Sequence, residues 1–399
     1  MVEVSYLSNI SWLSLLLLLG VIASILSLKL KIPQLLLLLV IGVGLGQLNI
    51  VSFEEQFLVS FGVFALVMIV FDSTSKFKLS DVGTIYPKAL KLSLIFLFVN
   101  LVLFTLFTHL VFDGELTLSS FLISLLFSAM MSGTDPGAVL SIFADSKDVK
   151  VAKMLEFESI INTPITVIFP LIILYWFEGS LHAGDIIVYF IRGVMAGIGT
   201  GFVLGIVSFR LMRKEYLETV SPLLIVALAL ISYTLAEFIG GNGVLSVTAL
   251  GIVFGWAVIT HKSHLKKFVK IFTNFLTIVV FIMLGLLVKL PNNKWFFLNS
   301  LLLFAIYLVL RFVSVSLAFR KEFTLKERIF MSLNVAKGVA VAVIAFIILA
   351  KLSTPGLLSA QDAISMKQML DLSFLFILYS VVLSTITLRF AKFFVQDIE

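Results

Sequence analysis

Apolar runs long enough to cross a lipid bilayer recur from about residue 10 to about residue 394, which leaves few folds open to this chain. A hydrocarbon core about 30 Å thick needs roughly 20 consecutive apolar residues in helical form. Within it, every backbone N–H and C=O must be paired inside the protein. Composition agrees: 60% of the 399 residues are hydrophobic and 13% are charged, against about half and about a quarter in ordinary soluble chains. The sequence reads as an all-α polytopic membrane protein, a single integral domain over residues 1–399. Glu3 stands ahead of the first apolar run without a basic leader, so no cleavable signal is expected. The absence of cysteine excludes disulfides, thiolate metal ligands and thiol nucleophiles.

About thirteen spans are expected. They fall roughly at 10–28, 33–50, 56–75, 88–112, 118–144, 151–177, 185–209, 221–240, 242–260, 268–289, 295–319, 328–350 and 369–394. Gly240, Gly241, Asn242 and Gly243 read as the turn between the eighth and ninth, because glycine and asparagine adopt turn conformations cheaply. Loop charge alternates with this division. Lys29, Lys76, Lys88, Lys91, Lys147, Lys150, Arg210, Lys262, Lys266, Arg320 and Arg328 follow odd-numbered spans. The even-numbered connections hold almost no bases, only Lys289, Lys294, Lys351 and Lys367, and instead carry Glu54, Glu55, Asp113, Glu115, Glu178 and Asp185. By the positive-inside rule the N-terminus is expected outside the cell membrane and the C-terminus in the cytoplasm. The net charge of +6 is then a matter of topology and implies no nucleic-acid partner.

No phosphate loop, zinc motif or Ser-His-Asp arrangement appears, so neither an enzyme nor a resident cofactor is expected. His261 and His264 lie three apart in a loop with no third ligand nearby and read as solvated.

Charge inside the spans is the informative exception. Asp135 and Glu158, with Ser159, Asn162 and Thr163, lie in otherwise membrane-grade sequence between Met130 and Ile168. Each intramembrane carboxylate costs about 2.5–3.5 kcal/mol on insertion scales, so a cluster suggests a site that handles a cation or a proton. Arg311 and Lys337 are the deepest bases, while Arg192 reads as structural or snorkelling. Asp135 lies ten residues before Asp145, Glu158 eight after Lys150, Arg311 nine before Arg320 and Lys337 nine after Arg328. At the helical rise this sets all four about 12–15 Å from one face, near the bilayer midplane. Buried charges must pair or be solvated, so Glu158 or Asp135 is expected to be balanced by Arg311 and Lys337.

Backbone chemistry points to the same place. Gly133, Thr134, Asp135, Pro136 and Gly137 interrupt the fifth span, since Pro136 removes a donor and disfavours helix at Asp135. Ala336, Lys337 and Gly338 hold the matching place in the twelfth. Thirteen spans divide as six, one and six. That gives two inverted repeats, about 10–177 and 221–394, joined by a linker helix at about 185–209. Broken helices in corresponding positions of inverted halves mark the binding sites of secondary transporters. Oxygen donors without soft ligands suit a hard cation such as Na⁺.

These motifs resemble the monovalent cation:proton antiporter superfamily, particularly the prokaryotic sodium/proton antiporters. Thr134-Asp135-Pro136, Glu158-Ser159 with Asn162, Phe71-Asp72 and Lys337-Gly338 carry the resemblance. It implies a homodimer with a mobile core domain that exchanges Na⁺ or Li⁺ for H⁺ by alternating access, and K⁺ is kept beside them as a candidate cargo. One position departs: where the family places its main ion-binding acid after the asparagine, this chain has Thr163. The expectation is therefore that Asp135 titrates and binds the ion, with Thr134, Ser159 and Thr163 as neutral ligands and Asp72 as a funnel or accessory ligand. Glu158, Asn162, Arg311 and Lys337 form the supporting network. Two other classes stay open, a non-transporting sensor or regulatory subunit and a small organic-anion symporter.

Overall fold

In the computed structural model the described residues are 3–30, 32–48, 51, 53–77, 85–113, 117–135, 150–179, 184–212, 220–288, 293–353 and 358–395. They contain helices and turns and no strand. The helices are α1 (Glu3–Leu30), α2 (Gln34–Gln47), α3 (Glu55–Ser75), α4 (Tyr86–Val99), α5 (Leu118–Met130), α6 (Lys150–Phe177) and α7 (Ile186–Met212). They continue with α8 (Val220–Phe238), α9 (Gly243–Trp256), α10 (Lys262–Leu287), α11 (Lys294–Phe319), α12 (Leu325–Leu333), α13 (Val339–Leu352) and α14 (Ala360–Arg389). α4 runs on through two π turns, Asn100–Phe104 and His109–Asp113, on either side of the short helix Thr105–Thr108. Among the described residues, nine helices are long and apolar enough to cross a membrane, and α2, α5, α9 and α13 are shorter apolar helices.

Side chains at the helix starts satisfy the amides left without intrahelical partners. Thr117 accepts from the Ser120 amide at α5. Asn242 accepts from Leu245 at α9. Thr324 and Glu327 form a reciprocal capping box at α12. The turn between α8 and α9 uses Gly240 at φ +76°, a left-handed conformation that glycine adopts without strain.

The helices pack in two groups. α4, α5, α6, α11, α12, α13 and α14 surround one another, while α1, α2, α3, α7, α8, α9 and α10 form the second group. The groups meet mainly where α13 lies on α3. α1 and α7 are peripheral: their most apolar windows are each only 17% buried, and they present residues such as Val21, Leu28, Val188 and Met195 outward. α10 is the reverse, with Ile278 through Gly285 buried continuously. α2 and α10 touch backbone to backbone. A Cβ on Gly42 would lie 2.8 Å from the Gly285 Cα, and one on Gly285 would lie 2.7 Å from the Gly42 Cα. Between apolar helices in lipid, such small-residue contacts supply dispersion that hydrophobic exclusion cannot.

Candidate ion-binding site

α5 stops at Met130 and the chain runs non-helically from Ser132 to Asp135. Opposite it, the stretch between α12 and α13 is non-helical over residues 334–338. The two interruptions cross, and the Asp135 amide donates to the Ala336 carbonyl at 2.7 Å. Backbone freed from one helix is thus partly satisfied by the other, as burial at this depth requires. Pro136 and Gly137, part of the expected interruption, lie outside the described residues.

Lys337 projects from the second interruption and is fully buried. Its ammonium donates to the Met131 carbonyl at 2.7 Å, the Gly133 carbonyl at 2.9 Å and the Tyr307 hydroxyl at 2.5 Å. An ammonium has three donors, and all three are used. Tyr307 in turn donates to the Met131 carbonyl at 3.1 Å, and the Asn100 amide reaches the same oxygen at 3.3 Å. The positive charge therefore sits at the C-terminal, negative end of α5. This differs from an expected pairing of Lys337 with a carboxylate: its charge is met by carbonyl dipoles.

Glu158 has a different partner. Arg311 donates to both of its carboxylate oxygens, at 2.5 and 2.7 Å, and both side chains are 0% exposed. The Phe96 ring covers the guanidinium at 4.5 Å. Such a fork-on-carboxylate pair fixes orientation as well as charge. It ties α6 to α11.

Asp135 lies at the start of α13. A Cβ added to Gly338 would come within 2.9 Å of the Asp135 Oδ2 and 3.0 Å of its Cβ, so glycine is what lets the carboxylate approach. The N-terminal turn of α13 has unpaired amides and the positive end of a helix dipole, a natural seat for an anion.

Next to it is a cavity of about 120 Å³ lined by Gly133, Thr134, Asp135, Ser159, Thr163 and the first residues of α13, with Ser73, Lys76 and Glu156 also on its wall. Asn162 donates to the Thr134 hydroxyl at 2.9 Å. Thr163 donates to the Ser159 carbonyl at 2.7 Å, which leaves its oxygen lone pairs available to a cation. The structure thus brings Thr134, Asp135, Ser159, Thr163, Gly133 and Gly338 to one cavity. Glu158, Asn162, Arg311 and Lys337 stand behind it. Asp72 is not on the wall; its carboxylate lies 3.1 Å from Lys76, which is. Arg192 is remote and bonds the Ile239 carbonyl at 3.3 Å.

Three contributors went unnoticed in the sequence. Tyr307 and Asn100 look like ordinary span residues, although Tyr307 is one turn from Arg311 on the same helix face. Glu156 precedes Ser159 by three and Thr163 by seven, a spacing that shares their face and could have revealed it.

The sequence profile of the family described as "Sodium/hydrogen exchanger, transmembrane" matches residues 14–393. The chain is 26% identical to the probable Na(+)/H(+) antiporter 2 of Methanocaldococcus jannaschii, over 84% of this chain and 83% of that one. It is equally 26% identical to the Na(+)/H(+) antiporter NhaH of Halobacillus dabanensis, over 95% and 96%. A solved structure of the sodium proton antiporter MjNhaP1 from Methanocaldococcus jannaschii at pH 8 superposes with a TM-score of 0.80 at 22% identity, covering 94% of this chain and 98% of that chain. At that identity the likeness speaks for the fold.

Proposed function

The chain belongs to the sodium/hydrogen exchanger family, and from that premise we propose that its midplane cavity exchanges Na⁺ for H⁺ at Asp135. A multi-pass membrane protein of this family exchanges sodium for protons across the bilayer. The observation that carries the site assignment is the cavity itself, where Asp135 is joined by the oxygens of Thr134, Ser159 and Thr163. One carboxylate cannot hold a proton and a metal ion together, so occupancy by one excludes the other. That exclusion, combined with access from alternate sides, is sufficient for coupled exchange.

Glu158 and Arg311 act as a fixed strut in this reading, and Lys337 seals the broken end of α5. Asp72 holds Lys76 at the mouth and takes the accessory place. Li⁺ and K⁺ are further candidate cargoes for an oxygen-only site. The two packing groups supply a static and a moving part, and a homodimer through the second group fits the peripheral, apolar α1 and α7. About thirteen spans in two inverted repeats, with an external N-terminus in the plasma membrane, accord with the alternating loop charge. The full chain reconstituted in vesicles with a pH-sensitive dye inside tests the reading. Addition of Na⁺ should dissipate an imposed pH gradient, and a panel of Na⁺, Li⁺ and K⁺ should order the cargoes. A gradient that survives all three refutes it.

A further inference from the structure

Two carboxylates are on the cavity wall among the described residues, Asp135 and Glu156. Asp135 lies at the crossing of the interrupted helices. Glu156 lies nearer the start of α6, about 10 Å from Thr163 at the helical rise, with Ser159 between them. Ser73 of α3 and Lys76, just past its C-terminus, are on the same cavity wall. The Lys76 side chain is 44% exposed, and this outer end of the cavity is taken as its mouth. Asp72 already holds the Lys76 ammonium at 3.1 Å. Glu156 is thus an acid on the same cavity as Lys76 and Asp135.

We propose that Glu156 is the receiving carboxylate of the transport site: it binds the incoming monovalent cation at the mouth with Ser159 and passes it inward, past Thr163 two helical turns on, to Asp135. The inference rests on the exchanger reading. Its physical basis is the order of groups along α6. Glu156, Ser159 and Thr163 share one helix face and form a ladder of hard oxygens, along which an alkali ion can trade hydration water for protein ligands stepwise. With Lys76 already matched by Asp72, a further carboxylate on the wall makes the local charge net negative and raises the local cation concentration. Glu156 in this role sets cation affinity, while the one-for-one exchange count belongs to Asp135.

The test is the Na⁺ dependence of initial exchange rate in proteoliposomes of the full chain. Glu156→Gln is expected to raise half-saturating Na⁺ about tenfold, with the maximal rate held within about twofold, the mark of lost ground-state binding. Glu156→Asp, which keeps the charge, should restore most of the affinity. Glu156→Ser carries the same expectation as Glu156→Gln should the latter fold poorly. Wild-type half-saturation in the neutral variants would overturn the assignment, as would a lower maximal rate at unchanged half-saturation. Active wild type and inactive Asp135→Asn beside unaffected Glu156→Gln would refute the Glu156 role alone. Wild-type vesicles without any Na⁺-driven proton flux would refute the exchanger reading beneath it.

Discussion

Arg311 grips Glu158 through both carboxylate oxygens, at 2.5 and 2.7 Å, with neither side chain exposed. A pair this deep is dangerous to break, because the survivor is a charge without water or partner. Glu158→Gln is expected to destabilise the protein by about 3–5 kcal/mol. Thermal unfolding of purified, detergent-solubilised variant against wild type measures this, and a fall in yield should accompany it. A variant of unchanged melting temperature that has merely lost exchange would make Glu158 an ion ligand instead of a strut.

Lys337 gives a second stability test. Lys337→Met removes a donor shared by two carbonyls and a hydroxyl; the Met131 carbonyl keeps Tyr307 and Asn100, so the loss falls mainly on the Gly133 carbonyl, at about 1–3 kcal/mol. Lys337→Arg is not expected to rescue it, because a planar fork cannot point at three converging oxygens as an ammonium does. Melting temperatures of both variants should fall. An arginine variant as stable as wild type would mean that charge alone, without the three-way geometry, suffices there.

How much of this arrangement was legible in the sequence follows from what depth can and cannot say. Apolar runs locate helices because the bilayer demands length, and the Gly133–Gly137 and Ala336–Gly338 stretches signal interruption through proline and glycine chemistry. Counting residues from the basic loops also places Asp135, Glu158, Arg311 and Lys337 at similar heights. Height leaves azimuth open, however. Nothing in the sequence distinguishes a Lys337 that meets a carboxylate from one that meets the carbonyls of Met131 and Gly133, since those acceptors exist only once α5 has ended. Glu156 escaped for a related reason. It sits close to Lys153 at the start of a span, where an acid usually faces solvent, and only the crossing of α3, α6 and α13 turns its face into a cavity wall.

Gly338 ties backbone to site. Alanine there places a methyl 3.0 Å from the Asp135 Cβ, too close for either to stay. Gly338 has φ −97°, which alanine tolerates, so the response should be movement of Asp135 and not unfolding. Gly338→Ala is predicted to keep a near wild-type melting temperature while raising half-saturating Na⁺ several-fold. Unaltered Na⁺ dependence would mean that the carboxylate does not bind where the structure holds it.

Thr163 bears on stoichiometry. A hydroxyl can coordinate a cation but cannot release a proton in the working range. With Asp135 as the one titrating ligand, each cycle should move one Na⁺ against one H⁺, and exchange should neither create nor respond to a membrane potential. Thr163→Asp adds a second acid beside the first, so it should strengthen Na⁺ binding and displace the pH profile, because neighbouring carboxylates titrate as a coupled pair. Exchange rates measured with and without a valinomycin-clamped potential, for wild type and variant, decide this. Potential-driven exchange by wild type would contradict it, as would a variant whose Na⁺ affinity and pH profile match wild type.

The central claim is that one carboxylate, Asp135, alternates between proton and cation. Its most direct measurement is Na⁺-driven dissipation of a pH gradient by wild type and Asp135→Asn in parallel proteoliposomes, with matched protein content and melting temperature. Asparagine keeps the shape and an oxygen ligand but cannot take up or release the proton. The account predicts fast dissipation by wild type, with half-saturating Na⁺ falling as pH rises, and none by the folded variant. Exchange by Asp135→Asn at the wild-type rate would contradict it.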